Sequence, residues 1–529
     1  MSTGNPASSD RALELGRRLH RSGKLDEAES AYRAFLAADP ASPPGNAALG
    51  ELLLERGYHA ASIACFEVCV GAEPDNAEYL NNLGYAHILN ATHEFALPHL
   101  LRAAGLVPQS WRTHLNIGRT YGALGRADKG IPYLERALQL ASDNSDVKMM
   151  LANLLSQVAN FARAKELYLE LLGLPRTAPA ALRGLALLSR QTSTENVLPE
   201  IERHLALETT DNQQRKVLHQ AAAKTHMDMG NADRGIQHLL AMKSLQASSF
   251  DRTRFEQDIE LLKASFSADF VRSREAEGDS DRTPVFIVGM PRSGSTLLEQ
   301  IVSGHSSLAG IGERLYVPTI AQRLGFGQPG SRYSETLRAM PSGVLREIAA
   351  GYMSLASTTA DRPGSPVDKY LHNFLHIGLI RMLFPRAKIL HVRRSPMDCC
   401  FSIFTSPLGS GHDYANDLPT LGWYYTKYRA LMEHWAAMFP GMILDVHYEQ
   451  LVSDLEISTR RVLEFLSLPW EENCLNFTEN KRAVATISKW QVRQPLYRTS
   501  VDRWRPYERH LGPLINALGL QQPSAASGR

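Results

Sequence analysis

The 529-residue sequence predicts an α + α/β chain, with an α-helical solenoid in the first half and an α/β domain on a parallel sheet in the second. Three observations carry that prediction. Gly16, Gly50, Gly84 and Gly118 recur at one fixed step, the mark of stacked supersecondary repeats. The apolar run Val285, Phe286, Ile287, Val288 leads through a Gly-containing turn, 289–296, into an amphipathic stretch with Leu297, Leu298, Ile301 and Val302. A second apolar run, 387–392, ends in Arg393 and Arg394. Uniformly apolar short runs suit strands buried on both faces, as in a parallel sheet.

In the first half, Pro40, Pro74 and Pro108 keep the same step as the glycines, as do the large residues Tyr32, Phe66 and Leu100. Gly23, Gly57 and Gly125 mark the turns inside helix pairs. Small residues let paired helices approach, and proline ends the second of them. Later units depart from the pattern. Ala152 replaces the packing glycine, although Ala164 and Tyr168 stay in phase. Residues 179–210 read as irregular, and a further helix pair is expected at 217–242 with Gly230 at its turn. The array, about residues 9–245, resembles a tetratricopeptide-repeat solenoid. That resemblance implies a concave face that binds a peptide or protein segment. A spacer or dimerisation arm is the alternative.

Composition narrows the function. The charge balance of +2 is too even for a nucleic-acid-binding or membrane-surface protein. No apolar run is long enough to span a bilayer. The polar, Ser-rich stretch 1–10 lacks the apolar core of a signal peptide. The five cysteines, Cys65, Cys69, Cys399, Cys400 and Cys474, form no disulfide framework, so a cytoplasmic location is expected. Cys65 and Cys69 read as small core residues on a helix. The histidines show no metal-ligand spacing, and no metal is expected. Oligomeric state leaves no trace in the sequence.

The second half carries the chemistry. Strand, tight turn and helix make a phosphate cradle, in which N–H groups and the helix dipole face an anion. Gly289 and Gly294 have the spacing of a nucleoside-triphosphate loop, but Ser295 stands where its lysine belongs. The loop's one cation is Arg292, so ATP with magnesium is a poor fit. Beyond 387–392, Pro396 suits the first turn of a helix, and Ser402 follows on it. The arginine pair with Ser402 forms a second anion site. Two such sites after two strands of one sheet point to a nucleotide with phosphates at both ends. Glu313, in a Gly-containing turn, and Lys369, ahead of a helical stretch at 372–384, are the other candidate polar residues.

These motifs together resemble the sulfotransferases that use 3′-phosphoadenosine 5′-phosphosulfate (PAPS), and within them most nearly the protein-tyrosine sulfotransferases. The Pro-Arg-Ser-Gly-Ser-Thr turn, the Arg394-to-Ser402 spacing, Gly-Glu at 312–313 and Asp-Lys at 368–369 carry the resemblance. So do Tyr-Glu-Gln-Leu at 448–451 and Gln-Val-Arg-Gln-Pro at 491–495. The resemblance implies that Arg292, Ser293, Gly294, Ser295 and Thr296 hold the 5′-phosphosulfate, and that Arg394 and Ser402 hold the 3′-phosphate. Tyr448 would contact the nucleotide. The 488–497 loop, with Gln491, Val492 and Arg493, would cover it, and Arg503 would close on it. Glu313 would be the general base, with Lys369 and Ser488 stabilising the transition state alongside Arg292. The acceptor implied is a tyrosine of a peptide or protein, recruited by the repeats.

Departures widen the choice of acceptor. Ser406 stands where the tyrosine enzymes carry a basic residue, and Tyr370-Leu371 replaces the Met-Pro of relatives with repeats. Carbohydrate, lipid or small-metabolite O-sulfation is one alternative, and a noncatalytic repeat scaffold with a degenerate nucleotide domain is another. A nucleotide kinase ranks third. Trp490, Tyr497, Trp504 and Tyr507 suit either the acceptor cleft or the core. The expected divisions are a disordered stretch 1–8, repeats 9–245, a connector 246–282, a sulfotransferase domain 283–518 and a disordered tail 519–529.

Overall fold

The computed structural model describes residues 6–245, 250–328, 330–360, 362–406, 408–409, 411–476 and 501–521. The two expected disordered ends and the segment with Ser488, Trp490, Gln491, Val492, Arg493 and Tyr497 fall wholly or largely outside the described residues. The chain divides into two compact units, Met1–Thr210 and Asp211–Arg529.

The first unit is a run of helix pairs: Pro6–Arg21 with Leu25–Ala38, Pro43–Glu55 with His59–Ala72, Ala77–Leu89 with His93–Leu106, Trp111–Ala123 with Ala127–Leu140, and Ser145–Gln157 with Phe161–Leu171. The repeating glycine is a packing requirement. A Cβ on Gly84 would lie 2.5 Å from Leu100 Cγ, and the large residue of the next helix plays the same part at Gly16 (Tyr32) and Gly50 (Phe66). Helix starts repeat too: the side chains of Asn76, Ser110 and Asn144 each accept backbone N–H groups of the first turn. Gly84→Val is expected to destabilise this unit by about 1–3 kcal/mol, read as a lower urea midpoint, because the added carbons would meet the fully buried Leu100.

The stretch 179–210 is more regular than its sequence indicates. It holds the helices Ala178–Leu188 and Leu198–Leu205, and Pro179 and Pro199 sit in their first turns, where proline is tolerated. The helix pair Asn212–Asp228 and Ala232–Ser244, placed with the repeats on sequence, falls in the second unit. The reason is packing. Ile236, Leu239 and Met242 share one apolar core with Phe255, Phe266 and Phe404, and the Lys243 ammonium lies 5.5 Å from the Phe404 ring centroid.

The second unit is built on a five-stranded, wholly parallel sheet of order β2-β3-β1-β4-β5: β1 Val285–Gly289, β2 Leu308–Gly312, β3 Ser365–Asp368, β4 Lys388–Arg393 and β5 Ile443–His447. Alternate residues of β1 feed two cores. Phe286 and Val288 pack with Ile389 on one face, and Val285 and Ile287 with Leu390 and Val392 on the other. From β1 the chain moves to one side of the sheet, and from β4 to the other. The crevice outside the carboxyl ends of β1 and β4 is thus a switch point, where open α/β sheets bind ligands.

Candidate active site

Arg292, Glu313, Lys369 and Arg394 stand at or just beyond the carboxyl ends of the strands. The turn after β1 is shaped by backbone that side chains would obstruct. Gly289 has φ +151°, and a Cβ there would come 2.7 Å from Val392 O. Gly294 has φ +100°, and a Cβ there would collide with the Tyr448 ring. Arg292 takes a left-handed φ of +65° without being glycine. That conformation costs on the order of 1–3 kcal/mol and persists only where surrounding structure enforces it. The enforcement is visible: Arg292 O accepts Arg394 Nη1 at 2.9 Å, and Arg292 Nε donates to Ser402 Oγ at 3.3 Å. The residues of the two candidate anion sites are therefore joined at Arg292. The Arg394 guanidinium also lies 4.9 Å from the Tyr448 ring centroid.

The helix Ser295–Val302 starts at Gly294 with Ser295 and Thr296 in its first turn, both buried. Ser293 Oγ is buried and has no hydrogen-bond partner among the described residues. A buried hydroxyl left so beside a helix start and two arginines fits an anionic phosphate or sulfate ligand.

Lys369 follows β3, and Glu313 follows β2. These strands are neighbours, so residues 56 apart in sequence meet: Lys369 Nζ donates to Glu313 Oε1 at 2.7 Å. A second carboxylate, Glu299 of the helix Ser295–Val302, lies 3.4 Å from the same ammonium. The Lys369 side chain is fully buried and that of Glu299 is 4% exposed, whereas Glu313 is 47% exposed. Sequence reasoning passed over Glu299; its signal is a carboxylate inside the apolar run Leu297–Val302.

Beneath Lys369, Asp368 is wholly buried and accepts from Tyr352 Oη (3.0 Å), Tyr370 N (3.0 Å) and Asn373 Nδ2 (3.3 Å). Burial outweighs those donors and pushes its pKa up to about 7. The unfolded chain ionises Asp near ~3.9, so the native state holds the extra proton between about pH 4 and 7 and loses stability as pH rises through that window. Asp368→Asn is expected to flatten this slope in thermal midpoints measured against pH.

Asp398, on the helix Pro396–Thr405, accepts the backbone N–H groups of Asp502 (2.9 Å) and Arg503 (3.0 Å). It thereby holds the start of the C-terminal segment beside Arg394 and Ser402. The Arg503 side chain is exposed. Tyr507 packs against Phe401 in a tilted arrangement with ring centroids 4.7 Å apart, a core role. His391 is buried between Asp445 and Tyr428. Among the described residues no group of three or more His, Cys, Asp or Glu is placed to hold a metal, and no helix is long and apolar enough to cross a membrane.

Comparison with known proteins bears on the domains that carry these residues. Residues 284–472 match the model of the sulfotransferase family, and residues 13–77 and 122–188 match tetratricopeptide-repeat models. An uncharacterized protein of Aquifex aeolicus is 35% identical over 261 residues, 48% of this chain and 34% of that one. The protein-tyrosine sulfotransferase of Drosophila melanogaster is 25% identical over 243 residues, 42% of this chain and 46% of that one. Protein-tyrosine sulfotransferase 1 of Danio rerio is 26% identical over 250 residues, 43% of this chain and 66% of that one. The chain thus carries a sulfotransferase-family domain behind tetratricopeptide repeats, and it spans between about a third and two thirds of the length of these relatives.

Proposed function

We propose that the second unit is a PAPS-dependent sulfotransferase whose acceptor is a hydroxyl, best read as a tyrosine of a peptide or protein, and that the repeats recruit that acceptor or a partner. The observation that carries the proposal is the Lys369–Glu313 pair, 2.7 Å apart, just past the carboxyl ends of the neighbouring strands β3 and β2. A half-exposed carboxylate next to a buried cation is what in-line transfer to a hydroxyl needs from a protein.

PAPS, when bound, supplies the sulfuryl group and a bisphosphate leaving group. The residues present fit it at both ends. Arg292, the buried Ser293 hydroxyl and the first-turn N–H groups would take the 5′ end, and Arg394 with Ser402 the 3′-phosphate. Tyr448 and Arg503 would flank the nucleotide. Glu313 Oε2 or Oε1 would accept the acceptor's hydroxyl proton. For a phenol of pKa near ~10, a positioned carboxylate contributes in the transition state, as O–S bond formation acidifies the hydroxyl. Lys369, fully buried, and Arg292, half-buried, would face the bridging oxygen as negative charge grows on it. Transfers of this loose type depend mostly on positioning and electrostatics. Ser488, Gln491, Val492 and Arg493 keep the roles the resemblance implies and lie outside the described residues.

Incubating the full-length protein with labelled PAPS and a panel of tyrosine peptides, saccharides, lipids and small phenols tests the acceptor. Label on peptide tyrosine is the expected result. Label confined to another class would replace tyrosine in this reading. Partner binding with no nucleotide bound and no acceptor labelled would leave the protein a scaffold.

A further inference from the structure

We infer that Glu299 is the resident counter-ion of Lys369, a positioning residue that keeps the lysine charged and in place during the step in which Glu313 takes up a proton. This rests on the reading of Glu313 as base and Lys369 as transition-state cation given above.

One fully buried ammonium faces two carboxylates, Glu313 at 2.7 Å and Glu299 at 3.4 Å. Their exposures divide the work. Glu299 is sealed into the helix Ser295–Val302, while Glu313 is 47% exposed and open to an incoming hydroxyl. In the resting site the three side chains sum to −1. When the acceptor hydroxyl is deprotonated, its proton passes to a Glu313 oxygen, the acceptor oxygen forms the new bond to sulfur, and the S–O bond to the nucleotide's phosphate breaks. Glu313 is then neutral. With Glu313 as its sole partner, Lys369 would be left at that moment as an uncompensated buried cation, a costly state. Glu299 prevents this, because the pair Glu299–Lys369 remains neutral and the three side chains now sum to zero. Lys369 keeps its three protons throughout and can turn a free N–H toward the bridging oxygen.

The helix supplies a second reason for the placement. Its first turn forms the phosphate cradle, and Glu299 lies one turn further on. Contact between Glu299 and Lys369 thus ties the cradle to the cation that serves the transferred group. The groups facing Lys369 are Glu299 from this helix and Glu313 from the end of β2, with Asp368 and Tyr370 on its own segment and Arg314 acting on Asp368. Burial draws the lysine's pKa down, but Glu299 and then Glu313 more than offset it, and the net shift is upward.

The test is a pH titration of the full-length protein labelled with 13C at lysine Cε and followed by NMR, with Lys369 assigned by the resonance lost in Lys369→Arg. Glu299→Gln is expected to lower the Lys369 midpoint by about 1–3 pH units. Glu313→Gln should lower it less, because solvent screens the half-exposed carboxylate. A midpoint unchanged in Glu299→Gln, or a larger drop in Glu313→Gln, would overturn the assignment. A stability comparison covers the case in which Glu299→Gln folds poorly. The double variant Glu299→Gln/Lys369→Met should unfold at a higher temperature than Lys369→Met alone, since it removes the buried carboxylate that has lost the Lys369 ammonium; a lower midpoint would count against the pairing. Neither readout needs sulfuryl transfer. Where transfer is observed, Glu299→Gln should also move the basic limb of the kcat profile to lower pH, with donor KM changed less than about threefold. Shifted midpoints in a protein that transfers nothing would uphold the counter-ion and overturn the catalytic reading.

Discussion

Glu313→Ala is expected to lower turnover by about 10²–10⁴-fold while the protein still binds 3′-phosphoadenosine 5′-phosphate with near-native affinity. The two effects separate because Glu313 stands apart from both anion sites. Its one described side-chain partner is Lys369, and the contacts that join the phosphate turn to the second site run through Arg292, Arg394 and Ser402. Removing Glu313 leaves Lys369 paired with Glu299, so the fold loses no buried charge balance. Single-turnover rates and calorimetric affinities on the same preparation check both halves. Near-normal turnover would remove Glu313 from the role of base.

Lys369→Met is expected to have a larger and different effect. It removes the cation proposed to face the leaving oxygen, and it leaves Glu299 buried at 4% exposure without the Lys369 ammonium. Breaking a buried pair by removing one partner costs about 3–5 kcal/mol. The expected outcome is a clearly lowered unfolding midpoint together with turnover reduced by about 10²–10³-fold, the scale seen for removal of one transition-state donor. Thermal unfolding followed by rates below the new midpoint distinguishes the two. A variant as stable as the parent would show that the buried carboxylate has another cation.

The candidate site residues are legible in the sequence where local chemistry marks them. The apolar run of β1, the small residues of the turn, Arg394 and Ser402 form contiguous patterns whose spacing has a mechanical meaning. The repeats were legible for the same reason, since Gly84 must be small where Leu100 packs. Three strands were not recognised. β2 contains Gly310 and Gly312, β3 contains Pro366, and β5 carries Asp445 and His447 among its five residues. Each is too short and too mixed to stand out from a loop, and each is made a strand by its neighbour in the sheet. The meeting of Glu313 with Lys369 followed from β2–β3 pairing and was therefore hidden as well. Glu299 was hidden by its surroundings, because a carboxylate within an apolar helix reads as an exposed position until the buried lysine opposite it is seen. The helix pair at 212–244 has repeat-like spacing, yet its apolar face packs with the sheet domain's core.

The central claim is that this domain binds a nucleotide with phosphates at both ends. Calorimetric titration of the full-length protein with 3′-phosphoadenosine 5′-phosphate, with ATP and magnesium as the control, tests it most directly. The account predicts selective binding of the bisphosphate that weakens by about 10–100-fold in Arg394→Ala, the loss of one charge-assisted contact. No binding, or a preference for ATP with magnesium, would contradict it.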